Sequence, residues 1–236
     1  MKFRVFRFKK VKSTNDTACR IIKNLDVNYG MVISEIQNNG RGQHGKRWIS
    51  YKGNLFTSFF YNLGNLNISF KKTTHLNCLL VKKLLGIYYK GKITFKKPND
   101  LLIDKKKIAG ILIETSVSNN TVTQFIIGIG VNIKSRPNDL KYSSTSLFEN
   151  GLRVKAHKLF FSIIKRLYYY IENYKNIEFL YLSKKLSDRF FNKKSLINVC
   201  NGNYKNEGLF SKIGCMGELI IKNKNKNLTI TYGEII

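Results

Sequence analysis

Eight consecutive residues, Gly40-Arg41-Gly42-Gln43-His44-Gly45-Lys46-Arg47, hold three glycines and three cations. Glycines let a backbone approach a ligand closely and clustered cations offset phosphate charge, so the stretch reads as an anion-handling loop. It fits the first seven positions of the phosphate loop G-x-x-x-x-G-K, but the eighth is Arg47, where a magnesium-binding Ser or Thr belongs. Trp48 and a strand-like segment follow, not the helix whose N-terminus completes such a cradle. Taken alone, the segment reads equally as a solvated basic hairpin loop. Three further segments keep it company. Lys96-Lys97-Pro98-Asn99-Asp100 places cations, a rigid turn and two polar side chains in a row. Lys107 precedes Ala109-Gly110 and the apolar Ile111-Leu112-Ile113. Gly128-Ile129-Gly130-Val131-Asn132 ends another apolar run. Glycine weakens a strand interior, so Gly128 and Gly130 predict a bulge or a closely packed ligand, and Asn132 reads as a turn cap or a ligand contact.

The elements that must position these residues follow from hydrophobic periodicity. Phe3 to Val11 predicts an opening strand, and Ser13-Thr14-Asn15-Asp16 supplies N-cap chemistry for a helix whose inner face is Ala18, Ile21, Ile22 and Leu25. Met31 to Ile36 is a short apolar strand feeding the glycine-rich loop, and the chain turns apolar again from Trp48 to Leu63. Phe70 to Tyr89 has helical spacing, with Leu76, Leu79, Leu80, Leu84 and Ile87 on one face. Strands are predicted at Ile93–Phe95, Leu101–Ile103, Ile108–Val117 and Val122–Ile133, then helices over Lys155–Asn173 and Ile177–Phe191. After Asn192 the texture changes to short β segments, Leu196–Cys200, Gly208–Ile213, Glu218–Lys222 and Leu228–Tyr232, with the Lys/Asn run 222–227 as a hairpin turn. The pattern predicts an α+β unit over 1–190 with a mixed or antiparallel sheet and flanking helices, and a small all-β unit over 191–236.

Composition narrows the class. With 43% hydrophobic and 13% aromatic residues the 236-residue chain has material for a packed core, which excludes wholesale disorder. Lys plus Arg number 42 against 14 Asp plus Glu, a formal charge of +28 that first suggests nucleic-acid binding. Only nine of the 42 are Arg, the cation suited to bidentate reading of bases and phosphates, and the Lys lie among many Asn and Ile. That is a chain-wide drift rather than a patch. The N-terminus has no apolar stretch of a signal peptide, no run approaches a membrane span, and Cys19, Cys78, Cys200 and Cys215 are too scattered for a metal framework. A cytoplasmic protein with inert thiols is expected, without membrane or DNA partners.

Taken in order, Ser13-Thr14-Asn15, Gln37…Gly40-Arg41-Gly42…Gly45-Lys46-Arg47-Trp48, Lys96…Pro98-Asn99-Asp100, Lys107-Ile108-Ala109-Gly110 and Gly128-Ile129-Gly130-Val131-Asn132 resemble the biotin–protein ligases. The likeness is strong over roughly 10 to 135 and weaker in the tail, through Gly217-Glu218-Leu219 and Gly233-Glu234-Ile235. It implies a core like that of class II aminoacyl-tRNA synthetases, a small C-terminal SH3-like β-barrel, and a short form without an N-terminal DNA-binding domain. It implies activation of biotin by MgATP to biotinyl-5′-adenylate, then transfer to a lysine of a biotin carboxyl carrier domain. Arg41 and Lys107 become the catalytic candidates, holding the biotin carboxylate and the α-phosphate. Ser13, Thr14, Asn15 and Gln37 are expected on the ureido ring, with Gly40, Gly42, Gln43, Gly110, Gly128 and Gly130 completing the biotin site. Lys46, Arg47, Trp48, Lys96, Asn99, Asp100 and Asn132 are expected near the nucleotide, with Lys96, Asn99 and Asp100 also near its metal, and no metal ligands are assigned. Gly40 to Trp48 is the expected lid. The chain departs from the family at Gln43, where a second Arg is common, and at Lys97, where Trp is common. Gln43 removes a charge from the clamp on the intermediate. His44 is no general base, since an ionised carboxylate needs none, and His75 and His157 are expected to be structural or solvated. A lipoate or octanoate ligase of the same fold and a basic nucleic-acid-binding module are the alternatives, and both monomer and homodimer stay open.

Overall fold

Alternating side chains give the core sheet two buried faces, and each face recruits one helix. The computed structural model describes residues 4–25, 27–62, 70–96, 98–118, 121–138, 143–156, 158–159, 161–162, 196–201, 204–213, 219–224, 226–230 and 234–235. The first unit runs β1 (Arg4–Val11), α1 (Thr14–Leu25), β2 (Tyr29–Gln37), β3 (Gly40–Arg41), β4 (Arg47–Trp48), β5 (Leu55–Asn62) and α2 (Phe70–Tyr88). It continues through β6 (Thr94–Lys96), β7 (Asp100–Ile103), β8 (Lys106–Ser118) and β9 (Thr121–Val131). Seven strands make one mixed sheet in the order β1-β2-β5-β9-β8-β7-β6. Only the β1–β2 pair is parallel; the rest are antiparallel. β3 and β4 pair with each other in a separate hairpin.

On one face, Ala18, Ile21 and Ile22 of α1 pack on Val32, Phe60 and Ile126. On the other, Cys78, Leu80, Val81, Leu84 and Leu85 of α2 pack on Met31, Phe59, Ile111, Ile113, Phe125 and Ile127. Adjacent residues such as Phe59 and Phe60 thus serve opposite layers, the period-two logic of a sheet buried on both sides. Two expected core positions are surface instead. Leu25 is 53% and Ile87 44% exposed, because Val27 beyond the end of α1 and Tyr88 in the last turn of α2 take the places next along each stripe.

Residues beyond 195 form an antiparallel sheet of β10 (Leu196–Asn201), β11 (Tyr204–Ile213), β12 (Leu219–Asn223), β13 (Lys226–Ile230) and β14 (Glu234–Ile235), ordered β13-β12-β11-β10-β14. The Lys/Asn run does turn a hairpin, with Asn223 paired to Lys226 and Lys224 left-handed at φ 50°. Closing a barrel would require β13 to meet β14, and among the described residues no such pairing exists. The break near 190, most of the two helices expected over 155–191, Lys97, His157, Cys215 and the Gly217-Glu218 and Gly233 motif positions fall outside the described residues. No helix among the described residues is long and apolar enough to cross a membrane.

Candidate active site

The helix α1 begins at the sheet face it covers, and its first turn is the polar end of the site. Ser13 is the buried N-cap: its carbonyl takes the Thr17 amide at 3.0 Å and its hydroxyl faces the Asp16 amide at 3.4 Å. Its hydroxyl thus caps the helix as an acceptor and keeps its own O–H to donate. Thr14 donates its amide and hydroxyl to Gln37 Oε1 at 2.8 and 3.0 Å, and Gln37 Nε2 donates to Ser50 Oγ at 3.2 Å. The single Ser58 hydroxyl proton is shared between Thr14 Oγ1 at 2.7 Å and Asn15 Oδ1 at 2.5 Å. Beneath it, a Cβ at Gly128 would lie 2.5 Å from Asn15 Oδ1, so glycine is what lets Asn15 lie flat on β9. β8 and β9 stay in register through Gly110–Gly130 and Leu112–Gly128. The paired glycines therefore mark side chains packed on the sheet and not a bulge.

The glycine-rich loop is the β3–β4 hairpin, with Gly40 opposite Trp48 and Arg41 opposite Arg47. Its tip turns through His44 and Gly45, both left-handed at φ 55° and 72°, and the Gly42 amide donates to Lys46 O at 2.7 Å. A strand follows, not a helix, so no phosphate loop forms. Arg41 reaches back across the site: its NH1 meets Asp16 Oδ1 at 2.5 Å and its NH2 meets the Glu114 carboxylate at 2.9 and 3.1 Å. Burial opposes the guanidinium charge, but the hydrogen bonds it donates to Asp16 and Glu114, with the charges of those carboxylates, outweigh it and raise the pKa above its ordinary value. Glu114 also takes Asn15 Nδ2 at 2.6 Å.

Trp48, at the hairpin's far end, covers the glycine floor. A Cβ at Gly130 would lie 2.6 Å from its indole and one at Gly110 2.8 Å. Lys107 Nζ stands 5.2 Å from that ring's centroid and 2.7 Å from Asp100 Oδ1. The Lys107 backbone is gripped on both sides, its amide donating to Ser143 O and its carbonyl accepting from the Thr145 amide, each at 2.9 Å. Cys78 lies fully buried below, where burial first and the Asp100 charge second push its thiol pKa well up, which keeps it protonated and inert.

The fold therefore brings together Thr14, Asn15, Gln37, Arg41, Trp48, Asp100, Lys107, Gly110, Gly128 and Gly130. Other expected contacts are committed elsewhere. Asn99 Nδ2 donates to Ile111 O at 2.8 Å, closing the edge of β8, and Asn132 Nδ2 donates to Thr145 O at 3.1 Å. Among the described residues, Asn132 Oδ1 and Trp48 Nε1 are buried without hydrogen-bond partners. Lys46 and Arg47 are exposed, Arg47 bonding Asn38 O at 3.3 Å, while Gln43 and Lys96 are half-buried. Asp16, Ser58 and Glu114 were not singled out from sequence. Glu114 was readable in principle, since Gly110, Leu112 and Glu114 alternate along β8 on one face. No three His, Cys, Asp or Glu side chains among the described residues converge as a metal site.

The model of the biotin/lipoate A/B protein ligase family matches residues 7–132. The chain belongs to that family. Within it, the chain is 35% identical over 145 residues to the bifunctional ligase/repressor BirA of Bacillus subtilis, covering 58% of this chain and 44% of that protein. It is 28% identical over 130 residues to the biotin–[acetyl-CoA-carboxylase] ligase of Paracoccus denitrificans, covering 54% of each. The match thus spans about half the length of these relatives. The Aquifex aeolicus biotin protein ligase, solved with biotin and ATP, superposes with a TM-score of 0.82 over 99% of this chain and 97% of that one at 24% identity, which shows that the ligase-family fold is shared.

Proposed function

We propose that this chain is a biotin–protein ligase that makes biotinyl-5′-adenylate from biotin and ATP and transfers biotin to a lysine of a biotin carboxyl carrier domain. One observation carries the reading: a glycine-floored stretch of sheet runs from a hydrogen-bonding cluster of neutral side chains, with the Arg41 ion pairs beside it, to the Lys107 cation. Asn15 lies over Gly128 and Trp48 over Gly130, about 7 Å apart along the strand. That layout suits an elongated ligand with a neutral polar head and an anionic end. A ureido ring both donates and accepts hydrogen bonds and can engage the second N–H groups of Asn15 and Gln37, the first ones being used on Glu114 and Ser50. An apolar dithiolane would leave those N–H groups desolvated without an acceptor, which favours biotin over lipoate.

The chemistry then falls to the cations. A carboxylate oxygen attacking the α-phosphorus brings two anions together, and pyrophosphate leaves. Lys107, facing the single carboxylate of Asp100, lowers that repulsion, and Arg41 can add to it only where an incoming anion displaces Asp16 or Glu114 from the guanidinium. In the second step the carrier's lysine amine attacks the acyl carbon and AMP leaves. The hairpin with Trp48 shields the mixed anhydride from water in between. Magnesium would arrive with the nucleotide, held chiefly by its phosphates. Residues 1–190 would form the catalytic unit in the cytoplasm and 191–236 an appended SH3-like unit.

Biotin-dependent ATP–pyrophosphate exchange tests the proposal, with lipoate run beside it. Exchange with biotin and little with lipoate is the expected result. No exchange with biotin, or faster exchange with lipoate, overturns it.

A further inference from the structure

We infer that Glu114 is a positioning residue that ties the polar head cluster to the Gly40–Trp48 hairpin, so that the ligand's head group sets where Arg41 stands. The inference rests on the ligase reading above and deepens it. Glu114 projects from β8 between two elements that share no strand pairing, α1 and the β3–β4 hairpin. Its Oε2 takes Asn15 Nδ2 at 2.6 Å, and both its oxygens take Arg41 NH2 at 2.9 and 3.1 Å. Asp16, next to Asn15, holds Arg41 directly through NH1. The first turn of α1 thus grips the hairpin twice, once straight from Asp16 and once through Glu114.

A donor and acceptor inventory shows why the second grip is responsive to ligand. The Asn15 amide has two N–H groups and one carbonyl. Glu114 uses one N–H and Ser58 the carbonyl, which leaves one N–H for a head group. A ligand acceptor on that N–H fixes the amide plane, and with it the direction in which Asn15 holds Glu114. The link continues through Ser58 to Thr14 and Gln37, so each expected head-group residue except Ser13 is joined to Arg41 by hydrogen bonds. Arg41 with two carboxylates sums to one negative charge. An incoming anion therefore gains less from Arg41 than from Lys107, which faces one carboxylate. The guanidinium is better placed to hold the hairpin, and Trp48 with it, over the floor. Charge-assisted, forked hydrogen bonds are the kind that fix such a position.

The test uses the full chain and Glu114→Gln, which keeps the shape and an acceptor for Asn15 but removes the charge that holds Arg41. Two readouts follow the hairpin itself: trypsin cleavage between Arg41 and Arg47, and emission from Trp48, the chain's one tryptophan. Calorimetry follows biotin. Without ligand, Glu114→Gln should be cut about tenfold faster than wild type, the weight of one charge-assisted bond near the surface. Its Trp48 emission should shift to the red. Biotin should bind it within about threefold of wild type, because the head cluster keeps its hydrogen bonds, yet should no longer slow cleavage. Glu114→Asp, keeping the charge on a shorter arm, should recover part of that protection. Wild-type cleavage and emission in Glu114→Gln would overturn the inference, as would loss of biotin binding in proportion to loss of hairpin protection. Should Glu114→Gln not fold by circular dichroism, Asp16→Asn decides. It should loosen the ligand-free hairpin while biotin still slows cleavage, and absence of that biotin effect would overturn the inference. Absence of biotin heat with wild type would instead sink the ligase reading, while the ligand-free cleavage comparison would still decide the Glu114–Arg41 link.

Discussion

At the residue scale, Gly130 is glycine because the Trp48 indole already occupies the space above it. A Cβ there would sit 2.6 Å from two ring carbons, a distance that forces something to move. The ring is rigid and leaves from a two-residue strand, so the hairpin moves with it. Gly130→Ala should therefore cost about 1–3 kcal/mol of stability, as overpacking does, and shift Trp48 emission to the red. Gly86 in α2, with nothing within 4 Å of a built Cβ, is the control: Gly86→Ala should hold or raise the melting temperature. Equal losses in the two variants would remove the packing explanation. The glycines, Arg41, Trp48 and Lys107 were legible because their types are costly or charged without an evident local need. Asp16 was not, and Glu114 was so only through its alternation with Gly110 and Leu112. An acid three residues past a serine N-cap reads as ordinary helix-start chemistry, and a single Glu at the end of an apolar strand reads as its solvent side. Their meaning arises only when Arg41 folds back across β8, a contact spanning 73 residues of sequence.

At the element scale, strands were easier to read than helix faces, because alternation on a sheet admits one register whereas a helical stripe is broad enough to rotate by a residue. That is how Tyr88 came to replace Ile87 on the core. The segment Ser143–Asn150, which sequence left unmarked, shows what periodicity cannot see, since it has no regular element and acts through caps. Ser146 and Glu149 form a reciprocal capping box: Ser146 N donates to Glu149 Oε2 at 2.9 Å and Glu149 N to Ser146 Oγ at 3.2 Å. Arg136 adds an ion pair at 3.0 Å. This box anchors the strap whose backbone brackets Lys107. Burial alone would raise the Glu149 pKa, but the Ser146 amide, Arg136 and Thr145 lower it. A lowered folded pKa means that the contribution is complete above the unfolded value, about 4.3 for Glu, and fades as pH falls through the folded one. Glu149→Ala should then lower stability at pH 7 by about 1 kcal/mol, as lost caps do. The gap to wild type should narrow below pH 4. The variant should also reduce the exchange rate at saturating biotin, since the strap brackets the Lys107 backbone. A constant gap down to acid pH would show that the carboxylate is not what anchors it.

At the scale of the whole molecule, the formal charge of +28 and the chemistry of the site need separate accounts. Inside the site the charges nearly cancel: Lys107 meets Asp100, and Arg41 meets Asp16 and Glu114. The excess therefore acts at a distance, as a field over the surface, and a field of that kind changes encounter rates rather than bond-making. An acidic carrier domain approaching a strongly basic protein should be steered toward it, and salt should abolish the advantage, because the Debye length shrinks from about 10 Å at 0.1 M to 3 Å at 1 M. Single-turnover transfer from preformed adenylate isolates the step. With the carrier as acceptor, kcat/KM should fall about tenfold or more as salt rises across that range, the usual scale for steered association, while kcat stays level. With hydroxylamine, a small neutral acceptor that gains nothing from steering, the rate should hardly respond. A parallel decline with both acceptors would place the salt effect in the hairpin and its ion pairs, and would leave the excess lysines as composition without a role in partner capture.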